Sequence, residues 1–146
     1  MAKLLSALPV GSVVKSTNTK YNGKVIRWIV GTQDTANGRT GLVAEKMITL
    51  KCFDAKEPSN PNSNRQSYGN NRYSQSNIDQ WLNSADAAWY SARHSYDAPP
   101  NNTNVWSSYN EYDTEAGFLS NFEADFRKAI LDAVIRVAKN AVTDGG

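Results

Sequence analysis

The sequence predicts an α+β fold in which two short helices pack a small antiparallel sheet and long Asn- and Ser-rich loops join the elements. Three observations support this prediction. The dipeptide Asn22-Gly23, which is typical of a type I′ hairpin turn, directly precedes the alternating stretch Lys24–Val30. Apolar residues recur at helical spacing after Ser76 and again after Ser120. Because each element has one apolar face that needs a partner, we expect residues 1–146 to form a single domain.

The first third of the chain predicts the sheet. Three segments are rich in Val, Ile and other strand-forming residues, and the predicted strands are Leu8–Lys15, Lys24–Val30 and Leu42–Lys46. In the second strand, alternation places Ile26, Trp28 and Val30 on one face, which we predict to be the core face. The pattern of Met47–Phe53 fits a bent strand and a short helical turn equally well.

The first helix is predicted to begin after Ser76, whose side chain can accept from the backbone N–H of Asp79 as an N-cap. The apolar stripe that follows has spacings of three and four residues: Ile78, Trp81 and Leu82. Trp81 is the largest of these side chains, so we expect the sheet to lie against this face. Asn83 and Ser84 end the helix.

The second helix is predicted over Ser120–Asp132, where Ser120 and Glu123 have the spacing of a capping box and Leu119 that of a staple. Its predicted buried stripe is Phe122, Phe126, Ala129 and Ile130. Beyond this helix the β-branched residues at Val134, Ile135 and Val137 change the pattern to that of a strand.

Three further segments connect these elements. Asp54–Ser67 contains two prolines and almost no apolar residue, which predicts a loop on the surface. Ala85–Tyr90 predicts a short helical turn that carries Trp89. Ser91–Gly117 is a long irregular stretch with Pro99-Pro100, and a loop of that length in a small domain is often functional.

Composition excludes several classes of function. The net charge is +2, from 16 basic and 14 acidic residues, and the basic residues are scattered, so we expect no nucleic-acid partner. No segment approaches the ~20 apolar residues of a membrane span, and no signal peptide is evident, so we expect synthesis in the cytoplasm and no membrane partner. Cys52 is the only cysteine and lies between apolar neighbours, which predicts a small core residue and excludes a disulfide framework.

Catalytic and metal-binding patterns are weak. His94 is the only histidine, and no Gly-x-Ser-x-Gly motif accompanies it, so we interpret it as a surface or loop-packing residue. Glu111, Asp113 and Glu115 fit an ordinary acidic loop, although paired catalytic carboxylates or Ca²⁺ ligands would use the same residue types. The sequence therefore predicts no catalytic residue, no metal site and no cofactor.

Large aromatic rings among amide side chains form the remaining pattern. Such rings lose little conformational entropy on binding and suit sugar faces or a protein partner. The alternative is that the rings fold back and anchor the loops on the core. The predicted contact face consists of Tyr68, Asn70, Asn71, Tyr73, Trp106, Tyr109 and Tyr112.

Five segments of the sequence together resemble a known family: WIV, LVAEKMITLKCFD, YGNNRYSQSNIDQWLNS, NEYDTEAGFLSNF and VAKNAVTDGG. This family is a domain of unknown function found in Firmicutes and their phages, often in tail genes. The most specific motif of this family corresponds to Ser76–Asn83. The resemblance implies a C-type-lectin-like fold, shared with formylglycine-generating enzymes and with retroelement-diversified receptor-binding proteins. Family members usually continue past the TDGG turn, so the chain is expected to hold the N-terminal portion of that fold.

The resemblance also implies a function. We expect a non-enzymatic bacteriophage virion protein, associated with the tail or tail fibre, that is structural or binds the host surface. The expected partners are other virion proteins and a host cell-wall glycan or surface protein, and the expected location is the virion after release from the host by lysis. Unpaired sheet edges near Val10 and Val134 predict a homo-oligomer. The alternatives are a formylglycine-generating type of enzyme and a capsid decoration or attachment protein.

Overall fold

The computed structural model describes residues 4–106 and 111–133, and within them the chain forms two compact units, Met1–Thr49 and Leu50–Gly146. The first unit holds a three-stranded antiparallel sheet in the order β1-β2-β3, with β1 Val13–Tyr21, β2 Lys24–Asp34 and β3 Arg39–Ala44. The second holds three short helices, α1 Ser63–Tyr68, α2 Asn77–Leu82 and α3 Ala124–Lys128. The elements agree with the predicted small α+β class.

The hairpin between β1 and β2 forms where the sequence predicts it. Asn22 and Gly23 have φ angles of 47° and 74°, and a type I′ turn requires positive φ at both central residues. The prediction of this turn is confirmed. Strand β1 begins five residues later than expected because Pro9 to Ser12 form a turn, closed by a hydrogen bond of 3.1 Å from the Ser12 N–H to the Pro9 carbonyl.

The predicted core face of β2 is confirmed. Ile26 and Val30 are buried, and Trp28 lies partly buried between them on the same face. The indole N–H of Trp28 donates to Thr19 Oγ1 at 3.0 Å, and Thr19 is itself fully buried. A buried hydroxyl is thereby satisfied, which fixes the indole against β1.

The first and last residues of β3 differ from those predicted. This strand begins at Arg39 and ends at Ala44, whereas the sequence suggested Leu42–Lys46. The register between β2 and β3 shifts between Val30 and Thr32, opposite Gly41. A Cβ atom on Gly41 would lie 2.3 Å from Thr32 Oγ1, so a larger residue there would require the Thr32 side chain to move. Met47–Phe53 contains neither of the two predicted elements and is irregular.

The prediction of a surface loop over Asp54–Ser67 is wrong. The segment contains α1, whose N-cap is Asn62, and the Asn62 side chain accepts from the backbone N–H groups of Asn64 and Arg65. Its first half also buries several residues: Asp54, Ala55, Glu57 and Asn60. Polar side chains can enter a core when their hydrogen bonds are satisfied there, and these side chains have such partners.

Helix α2 forms as predicted, with the Ser76 hydroxyl accepting from the backbone N–H of Asp79 at 3.3 Å. Trp81 is almost completely buried. Its ring packs edge-on against Tyr112, with centroids 5.5 Å apart, and at a tilt of 51° against Phe118, with centroids 5.2 Å apart. Its indole N–H donates to the Ala116 carbonyl at 3.1 Å, so its polar atom is satisfied inside the aromatic core.

The predicted helical turn over Ala85–Tyr90 is wrong, since this segment contains no helix. Trp89 is nevertheless buried. Its ring stacks on Tyr112 with a centroid distance of 5.4 Å and an interplanar angle of 7°, and its indole N–H donates to the Glu115 carbonyl at 2.9 Å. The ring contacts and this hydrogen bond hold the loop without regular structure.

The second predicted helix is shorter than expected and starts later. A 3₁₀ helix, Phe118–Asn121, occupies the predicted start, and α3 has Glu123 as its N-cap with no side-chain capping bond, so the predicted capping box is wrong. The reason is packing: Phe118 and Phe122 are buried in edge-on contact at 5.1 Å, and Phe126 adds a second such contact at 5.7 Å. The predicted strand after Ala133 lies outside the described residues. Among the described helices, none is long and apolar enough to cross a membrane.

We predict that Trp81→Ala destabilises the protein by about 3–5 kcal/mol because it empties a buried site lined by aromatic rings. Urea unfolding, followed by circular dichroism, measures this change. A loss of less than about 1 kcal/mol would contradict the assignment of Trp81 to the core.

Candidate functional site

Two of the predicted contact residues form an exposed pair of rings. Tyr68 is 71% exposed and Trp106 is 63% exposed, and their ring centroids lie 5.9 Å apart. The Lys56 ammonium lies 4.9 Å from the centroid of the Trp106 ring, within the range of a cation–π contact. We call Lys56, Tyr68 and Trp106 the aromatic patch.

The backbone fixes the patch from both sides. Tyr68 is the last residue of α1, and the Lys56 N–H donates to the Asn104 carbonyl at 2.7 Å, two residues before Trp106. Val105, which lies between Asn104 and Trp106 in the chain, is buried. The two exposed rings are therefore carried by segments that the fold holds together.

The other predicted contact residues are distributed differently. Asn71 is exposed and Tyr73 is half-buried, with its ring 6.3 Å from that of Phe53. Asn70 and Tyr112 are buried, so their assignment to an exposed contact face is wrong. Tyr112 is a core residue because its ring packs between two indoles and its hydroxyl donates to the Cys52 carbonyl at 3.0 Å. Tyr109 lies outside the described residues.

Sequence reasoning missed a second site, which is polar and buried. We call Asp54, Glu57, Asn77, His94 and Asp97 the buried polar cluster. These residues come from three separate segments of the chain. None of them was predicted as a functional residue, because acidic residues in a Pro- and Asn-rich stretch normally indicate a solvated loop.

The Asp54 carboxylate accepts hydrogen bonds from two backbone N–H groups. Its Oδ2 accepts from the Asn70 N–H at 2.7 Å, and its Oδ1 accepts from the Asn77 N–H at 2.9 Å. Burial raises the pKa of Asp54 to about 6, against the lowering effect of these two N–H groups. The nearby Asp97 raises this pKa further and His94 lowers it. Burial thus disfavours the charged form of this carboxyl group, whereas the two N–H groups and His94 favour that form.

Asn77 connects the two aspartates of the cluster and is fully buried. Its Oδ1 accepts from the Ala55 N–H at 2.8 Å, and its Nδ2 donates to Asp97 Oδ1 at 3.4 Å. The other oxygen of Asp97 accepts from the Arg93 N–H at 2.7 Å. One amide side chain thus links the start of the second unit to the loop after Arg93.

Glu57 is fully buried, and the Arg65 guanidinium balances the charge of its carboxylate. Its Oε1 accepts from Arg65 Nε at 2.9 Å and lies 2.7 Å from the terminal guanidinium nitrogen Nη2, and its Oε2 accepts from the Asn60 amide. Both guanidinium nitrogens contact the same carboxylate oxygen, Oε1, so the bond is charge-assisted but not bidentate, and Oε2 is bonded to the Asn60 amide. This pair also ties α1 to the segment before it.

His94 completes the cluster. Its Nε2 lies 3.8 Å from Glu57 Oε1 and 3.8 Å from Asp97 Oδ1, and its Nδ1 lies 3.0 Å from the Ser95 carbonyl oxygen. The loop-packing interpretation of His94 agrees with this position. In the described part of the chain, Asp54, Glu57 and His94 form the group of side chains that could hold a metal ion.

The acidic loop predicted from Glu111, Asp113 and Glu115 has a different arrangement. Glu111 is exposed, and Glu115 forms an ion pair with Lys51. Across the described ranges, these three carboxylates are not gathered into a group that could hold a metal ion. The alternative of Ca²⁺ ligands therefore has no support from the geometry.

A comparison with known protein families assigns the chain to one of them. The profile of the family described as "Domain of unknown function (DUF6273)" matches residues 16–146. The chain belongs to this family. No curated protein and no solved structure matches the chain. The DUF6273 match covers the sheet unit from Ser16 onward and the whole unit that carries the aromatic patch and the buried polar cluster.

We predict that Asn77→Asp destabilises this DUF6273 chain by about 2 kcal/mol or more at pH 7, because it adds a buried charge beside Asp54 and Asp97. Burial raises the folded-state pKa of the new carboxyl above its unfolded value of about 3.9. The cost is therefore small below pH 4 and grows as pH rises, because a protonated Asp keeps one donor and one acceptor as Asn does.

Urea unfolding at pH 4 and pH 7 measures this cost, with Asn71→Asp as the matched control at an exposed position. Equal destabilisation by both variants at pH 7 would show that the site around Asn77 is open to water.

Proposed function

We propose that this DUF6273 chain is a non-enzymatic binding module of a bacteriophage virion, with a C-type-lectin-like fold and a place in the tail or tail fibre. The observation that carries the binding role is the exposed pair of rings at Tyr68 and Trp106. Large apolar rings side by side in water are typical of contact surfaces. The virion location is supported by the sequence resemblance described above.

The aromatic patch suits a sugar ligand. Flat rings offer a surface for the C–H faces of a pyranose, and the Lys56 ammonium beside the Trp106 ring can donate to hydroxyl groups. The patch is also held in place before binding: α1 is capped by Asn62, and the backbone bond between Lys56 and Asn104 fixes the other side. Preorganised rings lose less entropy on binding. We therefore favour a host cell-wall glycan as the ligand, with a neighbouring virion protein as the alternative partner.

The environment of Cys52 supports a non-enzymatic role. Burial raises the pKa of its thiol to about 11, which makes the thiolate that binds copper or attacks a substrate harder to form than at an exposed cysteine. An enzyme of the formylglycine-generating type needs such a thiolate. A homo-oligomer remains part of the proposal, since β1 and β3 each have a single neighbour in the described sheet.

We predict that replacing both Tyr68 and Trp106 by Ala lowers binding to purified Firmicutes cell walls, or to a bacterial glycan array, by at least about 10-fold. The reason is that each stacked ring contributes on the order of 1 kcal/mol. Unfolding stability should change by less than about 1 kcal/mol because both side chains are exposed. The matched control is Tyr96→Ala, which removes another exposed ring of the same unit.

Unchanged binding by the double variant would show that Tyr68 and Trp106 do not take part in binding. If the wild-type chain binds no glycan but is captured by other virion proteins through the same two rings, the partner is a protein. The virion location is tested separately by mass spectrometry of purified particles, and absence of the chain from them would contradict it.

A further inference from the structure

The strongest unexplained feature outside the aromatic patch is His94 Nε2. This atom is inaccessible to solvent and has no hydrogen-bond partner among residues 4–106 and 111–133, and the side chain as a whole is 11% exposed. A buried polar atom without a partner loses its hydrogen bonds to water and gains none in return, so native structures seldom leave one in place without a reason. The atoms nearest to it that carry charge are Glu57 Oε1 and Asp97 Oδ1.

The tautomer of His94 follows from its other nitrogen. Nδ1 lies 3.0 Å from the Ser95 carbonyl oxygen, which can only accept, so Nδ1 carries a proton. In the neutral ring, Nε2 then presents a lone pair to two carboxylate oxygens, and three acceptors facing one another repel. A cation between them removes the repulsion. A backbone carbonyl on the second ring nitrogen is also the usual arrangement of a metal-binding histidine.

The distances fit one ion. The donor atoms of Asp54, Glu57 and His94 all lie within 4.8 Å of one another. Two ligands of a zinc ion, each about 2.0–2.2 Å from the metal, are separated by roughly 3–4 Å. The 3.8 Å between His94 Nε2 and Glu57 Oε1 already lies in this range. The remaining separations require inward shifts of less than about 1–2 Å, within the reach of side-chain rotation.

The charges favour a divalent ion. The buried polar cluster contains three carboxylates, those of Asp54, Glu57 and Asp97, whereas Arg65 is the guanidinium that contacts them in the described chain. The guanidinium of Arg93 pairs with Asp79 instead. The three carboxylates outnumber the one guanidinium, and an excess of negative charge held away from water is costly without a counter-ion.

We propose that Asp54, Glu57 and His94 bind a first-row divalent transition-metal ion, with Zn²⁺ as the reference case. An imidazole nitrogen among the ligands favours Zn²⁺ and related ions, whereas Ca²⁺ and Mg²⁺ prefer oxygen alone. The ion joins the segment that begins at Asp54 to the loop that contains His94, so it stabilises the fold. The Asp97 carboxylate, with its Oδ1 3.8 Å from His94 Nε2, adds negative charge beside the ion.

The test uses the full chain after removal of metal by EDTA, titrated with Zn²⁺ alone and followed by isothermal calorimetry and by thermal unfolding. We expect one Zn²⁺ per chain and a rise in Tm with Zn²⁺ concentration. His94→Gln should lower the affinity by at least about 10-fold. The matched control Asp113→Asn, which alters a carboxylate outside the cluster, should leave affinity and Tm shift unchanged.

A second measurement decides the question if His94→Gln does not fold. Long-range ¹H–¹⁵N NMR of the single histidine reports on Nε2 directly, and Zn²⁺ should shift its ¹⁵N resonance at pH 7 while Nδ1 stays protonated. If Nε2 is protonated in the metal-free chain and Zn²⁺ leaves the spectrum unchanged, an imidazolium bridges Glu57 and Asp97, and the metal site is refuted. Glycan binding is not needed for this result, so the two proposals fail independently.

Discussion

The second unit depends on the carboxylate of Asp54, which accepts one backbone N–H from Asn70 and one from Asn77. Hydrogen bonds to a charged acceptor are stronger than neutral ones, and these two fasten the chain just after α1 and at the start of α2. The backbones come close as a result: a Cβ atom on Gly69 would lie 2.2 Å from the Ala55 carbonyl oxygen, and Gly69 has φ of 72°. Glycine is needed there for both reasons.

The aromatic patch is adjacent in sequence to a member of the buried polar cluster and to a residue bonded to one. Lys56 directly precedes Glu57, and Tyr68 lies two residues before Asn70, whose backbone N–H donates to Asp54. Whatever holds the cluster therefore also positions two of the three patch residues. A metal ion at Asp54, Glu57 and His94 would make the patch more rigid, and rigidity of a contact surface raises affinity by lowering the entropy lost on binding. The two proposals are in this way physically related, although each has its own test.

The features that sequence predicted well are local. The Asn22-Gly23 turn, the alternation of β2 and the Ser76 cap of α2 each depend on a few adjacent residues. The features it missed need contacts between distant residues. His94 approaches Glu57 only in the folded chain, and Tyr112 is buried because two indoles enclose it. The capping box at Ser120 failed because burial of Phe118 and Phe122 favoured a 3₁₀ turn over the first turn of an α-helix.

Hydrogen exchange at two backbone amides tests the central claim, that a buried carboxylate holds the loops of the second unit. The Asn70 and Asn77 amides, followed by ¹H–¹⁵N NMR in D₂O, should exchange as slowly as those in the middle of β2, because both donate to Asp54 in the interior. The amide of the exposed Asn71, next to Asn70 in the chain, is the internal reference and should exchange much faster. Exchange of Asn70 and Asn77 at the rate of Asn71 would contradict the account, since it would mean that Asp54 is open to water and that the cluster does not organise the fold.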